Sequence, residues 1–560
     1  MPSSSRELLP SIDWLPAARD PIGQGEYVAA AAMYQAAIEA QPDTIVYYWH
    51  LGLLQFLTGD EVAAQLTWMV PLMNGSEQEI QQRTRSLTLL LDEAAGDQHS
   101  QENYQLAWAL RQHIHQLDPE SMGNLLLLVQ LAAQLDILSA ADWASYGLGQ
   151  RLKNLTSEPS LLPLLRTTIA ALLENPETIP YGIEVIEASL PHFEAAPQSL
   201  LEELINQANR IGHKEGNPRR AAQVLALGRQ LAPNHLLLLR FLSLFYQNSG
   251  AHPQAIQTAQ QCYDNSTDLA GQVAANHVLL RGLMTVCSQW RDIEAAFQRH
   301  LTLLERLADQ ANQGSLPAIP PAENRWLFTA PFFQPYLRDD LAGNRRIQNQ
   351  TAAIAQAQAR SQHRPYSYTP KATPSRLKVG YVSACLRRHS VGWLARWLYR
   401  HHDRDQVEIY SYLINSPPQP DWLQSWYIEQ SNVVRKLDAH SPHIAEQIYA
   451  DQVDILVDLD SITLDTTCEV MALKPAPVQV SWLGWDASGI PAVDYYIADP
   501  YVLPRGAEAH YSETLWRLPQ TYIAVEGFET NAPSLRRSDL DIPDDAVVYL
   551  SAQRAYKRHP

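Results

Sequence analysis

Gly25 and Gly59 stand 34 residues apart, and the residues around them keep one frame. Tyr27, Ala30, Tyr34, Ala37 and Pro42 follow Gly25 by 2, 5, 9, 12 and 17 positions. Leu51, Gly52, Ala64 and Trp68 resume the pattern around Gly59. A period of this length describes two antiparallel helices, with small residues where they touch, aromatics in the gaps and a proline after the second. One such unit cannot bury its own apolar face, so neighbours stack. Ala221, Leu225, Gly228 and Pro233 repeat the spacing of Ala30, Tyr34, Ala37 and Pro42, and Leu242, Tyr246, Gly250 and Ala255 continue it. Residues 75–215 alternate apolar and polar at helical spacing and are expected to form further, degenerate hairpins. After an N-terminal tail at 1–20, residues 21–315 are therefore expected to form an all-α helical repeat array.

The pattern resembles the tetratricopeptide repeat, whose concave surface usually binds a protein or peptide. Lys and Arg total 42 against 60 Asp and Glu, a net charge of −18. Such a chain is not built to coat nucleic acid or an anionic membrane. Cys262, Cys287, Cys385 and Cys468 form no C-x-x-C pair and no metal-ligand spacing, so neither a disulfide scaffold nor a zinc ribbon is expected. The first residues lack a basic segment followed by an apolar one, and the run Leu125–Leu138 is interrupted by Gln130, Gln134 and Asp136. A cytoplasmic protein is the expectation.

The period changes in the second half. SLPAIPPAEN (315–324) is a breaker cluster, 344–362 reads as a helix, and PYSYTPKATPSR (365–376) reads as an extended linker or strap. Residues 316–376 thus form a helical and Pro-rich connector. From Leu377 short apolar strands alternate with helices: 377–383, 407–412, 453–458, 478–482 and 495–499 read as strands. That alternation implies βαβ units and a mostly parallel sheet, the α/β Rossmann-like lobe of residues 377–540. Such sheets bind ligands beyond the carboxyl ends of their strands. The rule selects Arg387, Arg388 and His389 after one strand, Asp460, Ser461 and Thr463 after another, and Leu483, Gly484, Trp485, Asp486, Ser488 and Gly489 after a third. Gly484 and Gly489 are expected to let backbone N–H groups approach a ligand.

Asp458-Leu459-Asp460 is a D-x-D, a pattern that can hold a metal, but it ends an apolar strand and no metal is expected there. His401-His402-Asp403 reads as a solvated helix end. No phosphate-binding Walker loop or nucleophile elbow is present.

Three stretches, RLKVGYVSACLRRHSVGWL, LKPAPVQVSWLGWDASGIPAVDYYIADP and HYSETLWRLPQTYI, resemble the O-linked N-acetylglucosaminyltransferase family, including its SPINDLY-type members. The resemblance implies a two-lobed glycosyltransferase of the GT-B type joined to the repeat array. The implied reaction moves a sugar with inversion from a nucleotide-sugar, best known as UDP-N-acetylglucosamine, to Ser or Thr of proteins. SPINDLY-type relatives use GDP-fucose, and some bacterial ones glucosylate asparagine. By this resemblance His389 matches the active-site histidine, Leu483 and Gly484 a turn against the sugar, and Thr463 a threonine in the site. Tyr556 and Lys557 match the tyrosine and lysine that follow the first strand of the second lobe, expected at Val547–Leu550. A lysine there suits a diphosphate, so the leaving group needs no metal and the nucleotide-sugar enters as co-substrate, not as cofactor. Asp486 stands where the N-acetylglucosamine transferases tend to have proline, and Tyr449 where a second histidine is usual. Protein or peptide acceptors are expected to bind the repeats.

Residues 541–560 read as the start of the donor-binding lobe only, an incomplete one, so this chain by itself is expected to turn over little. The alternative is a non-catalytic repeat scaffold.

Overall fold

The computed structural model describes residues 12–156, 158–287, 289–363, 365–368, 376–417, 419–524 and 532–557. The chain divides into two compact units, Met1–Gln207 and Ala208–Pro560.

Among its described residues the first unit is helical throughout. The 34-residue spacing has a direct cause. Gly25 and Gly59 both lie in the left-handed region, at φ +78° and +87°, each just beyond a helix end. Gly59 N–H donates to Phe56 O and Asp60 N–H to Gln55 O, and Gly25 and Glu26 make the same pair of bonds to Ile22 and Pro21. These are Schellman caps, which need a residue without Cβ strain. Inside the hairpin, a Cβ on Gly52 would fall 2.2 Å from the Trp68 indole, so the small residue makes room for the ring. Ala30, Tyr34, Ala64 and Trp68 are buried as the repeat pattern requires.

The second unit opens with helices Pro218–Leu231, Leu236–Asn248, His252–Asn265, Leu269–Val286 and Trp290–Asn312. Gly250, at φ +82°, caps its helix with the same two bonds as Gly59. Helices Pro321–Thr329 and Leu341–Ser361 follow. Seven parallel strands then form one sheet: β1 Leu377–Ser383, β2 Val407–Ile414, β3 Val433–Leu437, β4 Ile455–Asp458, β5 Val478–Ser481, β6 Tyr495–Ala498 and β7 Thr514–Arg517. Their order is β3-β2-β1-β4-β5-β6-β7. Strands β3 and β7, one at each edge, were not foreseen. Edge strands bury one flank only and carry a weaker apolar signal.

One continuous core runs from Leu244 and Val278 through Leu304, Phe328 and Ile347 to Val382, Leu456 and Met471. The change of composition near residue 315 is thus a change of element type inside one packed body. Helix Leu341–Ser361 shows why its Gln- and Arg-rich sequence is not a solvent face. Arg345 donates to Ala487 O at 2.6 Å and Gln348 to Ser488 O at 2.7 Å, while Gln356 accepts from Ala492 N. These side chains satisfy the main chain of the loop between β5 and β6. The described part of the strap, residues 365–368, lies along helix Ser441–Ala450. Tyr366 packs on Tyr449 at 4.6 Å, and the Tyr449 hydroxyl donates to Ser367 O. The expected strand Val547–Leu550 is not formed. Its four residues lack a partner strand and are largely exposed, and a lone strand cannot satisfy its own backbone groups.

Candidate active-site crevice

The sheet reverses its winding between β1 and β4, so their carboxyl ends bound a crevice. Asp460 joins the two loops. Its carboxylate accepts from Ser383 Oγ at 2.6 Å and Ala384 N at 2.7 Å. Asp458 Oδ1 accepts from Asp460 N and Ser461 N, and the Thr463 hydroxyl donates to Asp460 O at 2.6 Å. Both D-x-D carboxylates are buried and are used inside the protein to shape this edge.

Burial, and after it the neighbouring Asp460, pushes the Asp458 carboxyl up from 3.8 to about 7. Between those values the folded protein holds a proton that the unfolded chain has released. Stability attributable to this group therefore falls as pH rises from about 4 to 7, and the full penalty remains above 7. Asp458→Asn keeps an acceptor for both N–H groups and removes the charge. Its melting temperature is expected to exceed that of the parent at pH 8, by a stability difference on the order of 4 kcal/mol at most, and to converge with it near pH 4. Thermal melts of the two proteins across that range check this.

The loop after β5 is held in a strained shape. Leu483 has φ +79°, and Gly484 N–H donates back to Trp482 O at 3.1 Å, which makes a positive-φ γ-turn. A Cβ on Gly484 would lie 2.1 Å from Leu459 O and 2.9 Å from the Asp460 backbone. Gly484 is therefore required for contact between two loops of the protein. Gly489 likewise faces Asn349 and Gln348. Gly484→Ala is expected to cost about 3 kcal/mol in a urea unfolding titration, because the obstruction is backbone and cannot rotate away. An unchanged midpoint would contradict that contact.

His389 sits at the N-cap of helix Ser390–His401, exposed at the crevice edge. Gly392 allows this position: a Cβ there would meet Arg387 O at 2.1 Å. His389 Nδ1 accepts from Val391 N at 3.3 Å. The neutral ring therefore carries its proton on Nε2. Partial desolvation of the ring at the crevice edge, then Arg387 and Arg554, hold its pKa below the usual value, so the neutral form predominates at pH 7.

Thr463 and Tyr556 line one cavity of about 770 Å³, together with Arg281, Trp326, Phe332 and Arg554. Tyr556 packs edge-on against Phe332, Phe333 and Tyr336. Lys557 is exposed and does not line the cavity. Trp485 stacks on Phe332 at 4.7 Å. Asp486 turns toward Arg345 at 3.4 Å and accepts from the Tyr511 hydroxyl at 3.1 Å. The structure thus gathers Thr463, Leu483 and Gly484 around the Asp460 bridge, and sets His389 at the start of the helix that follows β1. Tyr556 enters from the chain's last described segment. Arg554, near enough to lower the His389 pKa, was missed, and as one arginine among exposed residues it had no local signal. At the far end of the helix, His402 Nε2 meets the Tyr381 hydroxyl at 2.6 Å, so it anchors the helix end.

The model of glycosyl transferase family 41 matches residues 286–530. The matched stretch is somewhat less than half of the chain and is similar to that family. It includes the whole seven-stranded sheet and the two helices that brace it. A probable UDP-N-acetylglucosamine–peptide N-acetylglucosaminyltransferase SEC of Arabidopsis thaliana is 30% identical over 192 residues, 33% of this chain and 20% of that protein. The corresponding SPINDLY protein of Hordeum vulgare is 30% identical over 158 residues, 28% of this chain and 17% of its own. The chain thus matches about a fifth of the length of these relatives. A solved Thermobaculum terrenum O-GlcNAc transferase mutant aligns at TM-score 0.44 and 24% identity, covering 59% of each chain. Among the described residues, no helix is long and apolar enough to cross a membrane.

Proposed function

We propose that the protein is an inverting protein O-glycosyltransferase of the cytoplasm. It moves N-acetylglucosamine from its UDP donor to Ser or Thr hydroxyls, with the helical repeats binding the protein acceptor. The observation that carries this reading is His389, neutral and capping the helix after β1, at the switch point of a family 41 sheet. The hydroxyl oxygen of the acceptor attacks the anomeric carbon as the bond to the diphosphate oxygen breaks, and the hydroxyl proton leaves to a base. With Nδ1 engaged by Val391, His389 offers Nε2–H and acts as a hydrogen-bond donor to a sugar or phosphate oxygen. Lys557, Tyr556 and Arg554 stabilise the departing diphosphate by charge-assisted hydrogen bonds, with no metal needed. Thr463, Leu483 and Gly484 shape the wall against the sugar. The Asp486 carboxylate is engaged by Arg345 and Tyr511.

The test is transfer from radiolabelled UDP-N-acetylglucosamine, UDP-glucose and GDP-fucose to a Ser/Thr-rich acceptor peptide, using the protein expressed from its natural gene. Label from UDP-N-acetylglucosamine alone supports the reading. Label from GDP-fucose alone reassigns the sugar, and no transfer from any donor removes the activity.

A further inference from the structure

Four of the 14 tryptophans, Trp393, Trp397, Trp422 and Trp426, fall within 34 residues on two neighbouring surface helices. Trp393 meets Trp422 edge-on at 5.4 Å, and Trp422 is 52% exposed. The Arg396 guanidinium lies between two indoles, 4.4 Å from Trp393 and 4.6 Å from Trp397. Its Nε is buried without an acceptor. Arg400 follows one turn on, exposed and 5.8 Å from the Trp397 ring. Arg388, also exposed, is tied to the start of the second helix through its backbone N–H on Asp421. Among the described residues, none of these three guanidiniums has a carboxylate partner.

A chain of net charge −18 has acidic residues to spare, so leaving Arg396 and Arg400 unpaired on indoles, with Arg388 unpaired nearby, calls for a partner. Trp and Arg are the side chains that dominate protein interfaces, and a guanidinium held flat on an indole loses little entropy when it binds a carboxylate. A nucleic-acid platform would need free ring faces for stacking bases. Here the Trp393 and Trp397 faces already carry Arg396. What remains available are the N–H donors of the exposed Arg388 and Arg400 and the half-buried Arg396, a donor type that suits carboxylates.

The geometry points to this face as a docking surface for an acidic segment of a partner protein, read by Arg388, Arg396 and Arg400 against the Trp393–Trp422 ledge. It does not depend on the transferase reading.

The test is fluorescence anisotropy of a fluorescein-labelled octaglutamate peptide titrated with the 560-residue chain at low salt. Saturable binding is expected, weakened roughly tenfold or more by Arg400→Glu and by Arg396→Gln. Arg400 is exposed, so its reversal leaves the fold intact, and a thermal melt verifies this for both variants. Arg306→Glu, on another helix, should leave binding unchanged. No saturable binding, or binding insensitive to both variants, overturns the proposal. Tighter binding of a thymidine 20-mer through the same arginines also overturns it and makes the face a nucleic-acid site.

Discussion

Replacing His389 with Ala is expected to lower sugar transfer roughly 10²–10³-fold in kcat, with little change in the melting curve of the second unit. The size follows from removing one donor aimed at charge that develops during bond breaking. The stability change should be small, about 1 kcal/mol, because only one exposed N-cap acceptor is lost. The ring's tautomer makes the prediction sharper. Nδ1 faces Val391 N–H, so only Nε2–H points outward. Gln can place an amide N–H near the position of Nε2, whereas Asn keeps the cap but does not reach. His389→Gln should therefore retain more activity than His389→Asn. A general base would show no such difference, since neither amide can take a proton and both variants would fall equally. The depressed pKa adds a second check. With the ring already neutral, kcat for the parent should be flat from pH 7 to 8 as far as His389 is concerned. A rise through that range that disappears in His389→Gln would assign His389 the base role instead.

The largest effect on stability is expected at Arg240. This side chain lies in helix Leu236–Asn248, and its Nη2 pairs with Glu323 of helix Pro321–Thr329, 83 residues later. Arg240 is 1% exposed, and its Nε and Nη1 have no acceptor among the described residues. A guanidinium this dry depends on its one carboxylate. Glu323→Gln strands a buried cation and should cost about 3–5 kcal/mol. Arg240→Ala should cost a similar amount, because it strands the carboxylate and opens a cavity. In a body of this size that corresponds to a fall in melting temperature of roughly 4–7 °C. The double replacement Arg240→Met with Glu323→Leu should recover most of the loss, since a packed apolar pair often equals a buried ion pair. If the double variant is no more stable than the singles, the loss arises from packing and not from unpaired charge. The pair matters beyond stability. Together with Arg325 on Glu469, at 2.8 Å, it locks the last repeat hairpins to the lobe that carries the crevice.

Much of the crevice was legible in the sequence because its signals are local. A strand followed by a loop and a helix start places His389 at a strand end without any knowledge of neighbours, and the same holds for Thr463 and the Leu483-Gly484 turn. What crowds those glycines was not legible. Gly484 and Gly489 look like room for a ligand, and the structure fills that room with Leu459, Asp460, Asn349 and Gln348. A positive or crowded glycine announces a close approach, but its sequence does not say to what. The sequence places the D-x-D carboxylates at the end of an apolar strand, and the structure shows them buried there. Their actual task, Asp460 binding Ser383 and Ala384, joins residues 77 and 76 positions apart. The strand expected at 547–550 failed for a related reason. Apolar, β-branched residues mark a strand only where another strand receives their backbone groups.

By itself the sequence determined the helical repeats, the parallel sheet and the loops that border the crevice. Each of these rests on periodicity and on backbone geometry within a few residues, such as the Schellman glycines Gly25, Gly59 and Gly250. Only the tertiary structure decided which polar residues are interior. Arg240 with Glu323, Arg345 with Ala487 142 residues away and Asp458 raised to about 7 read in sequence as ordinary charges. The physical reason is that burial and pairing of a charge depend on surroundings brought from distant parts of the chain, and no local pattern encodes them.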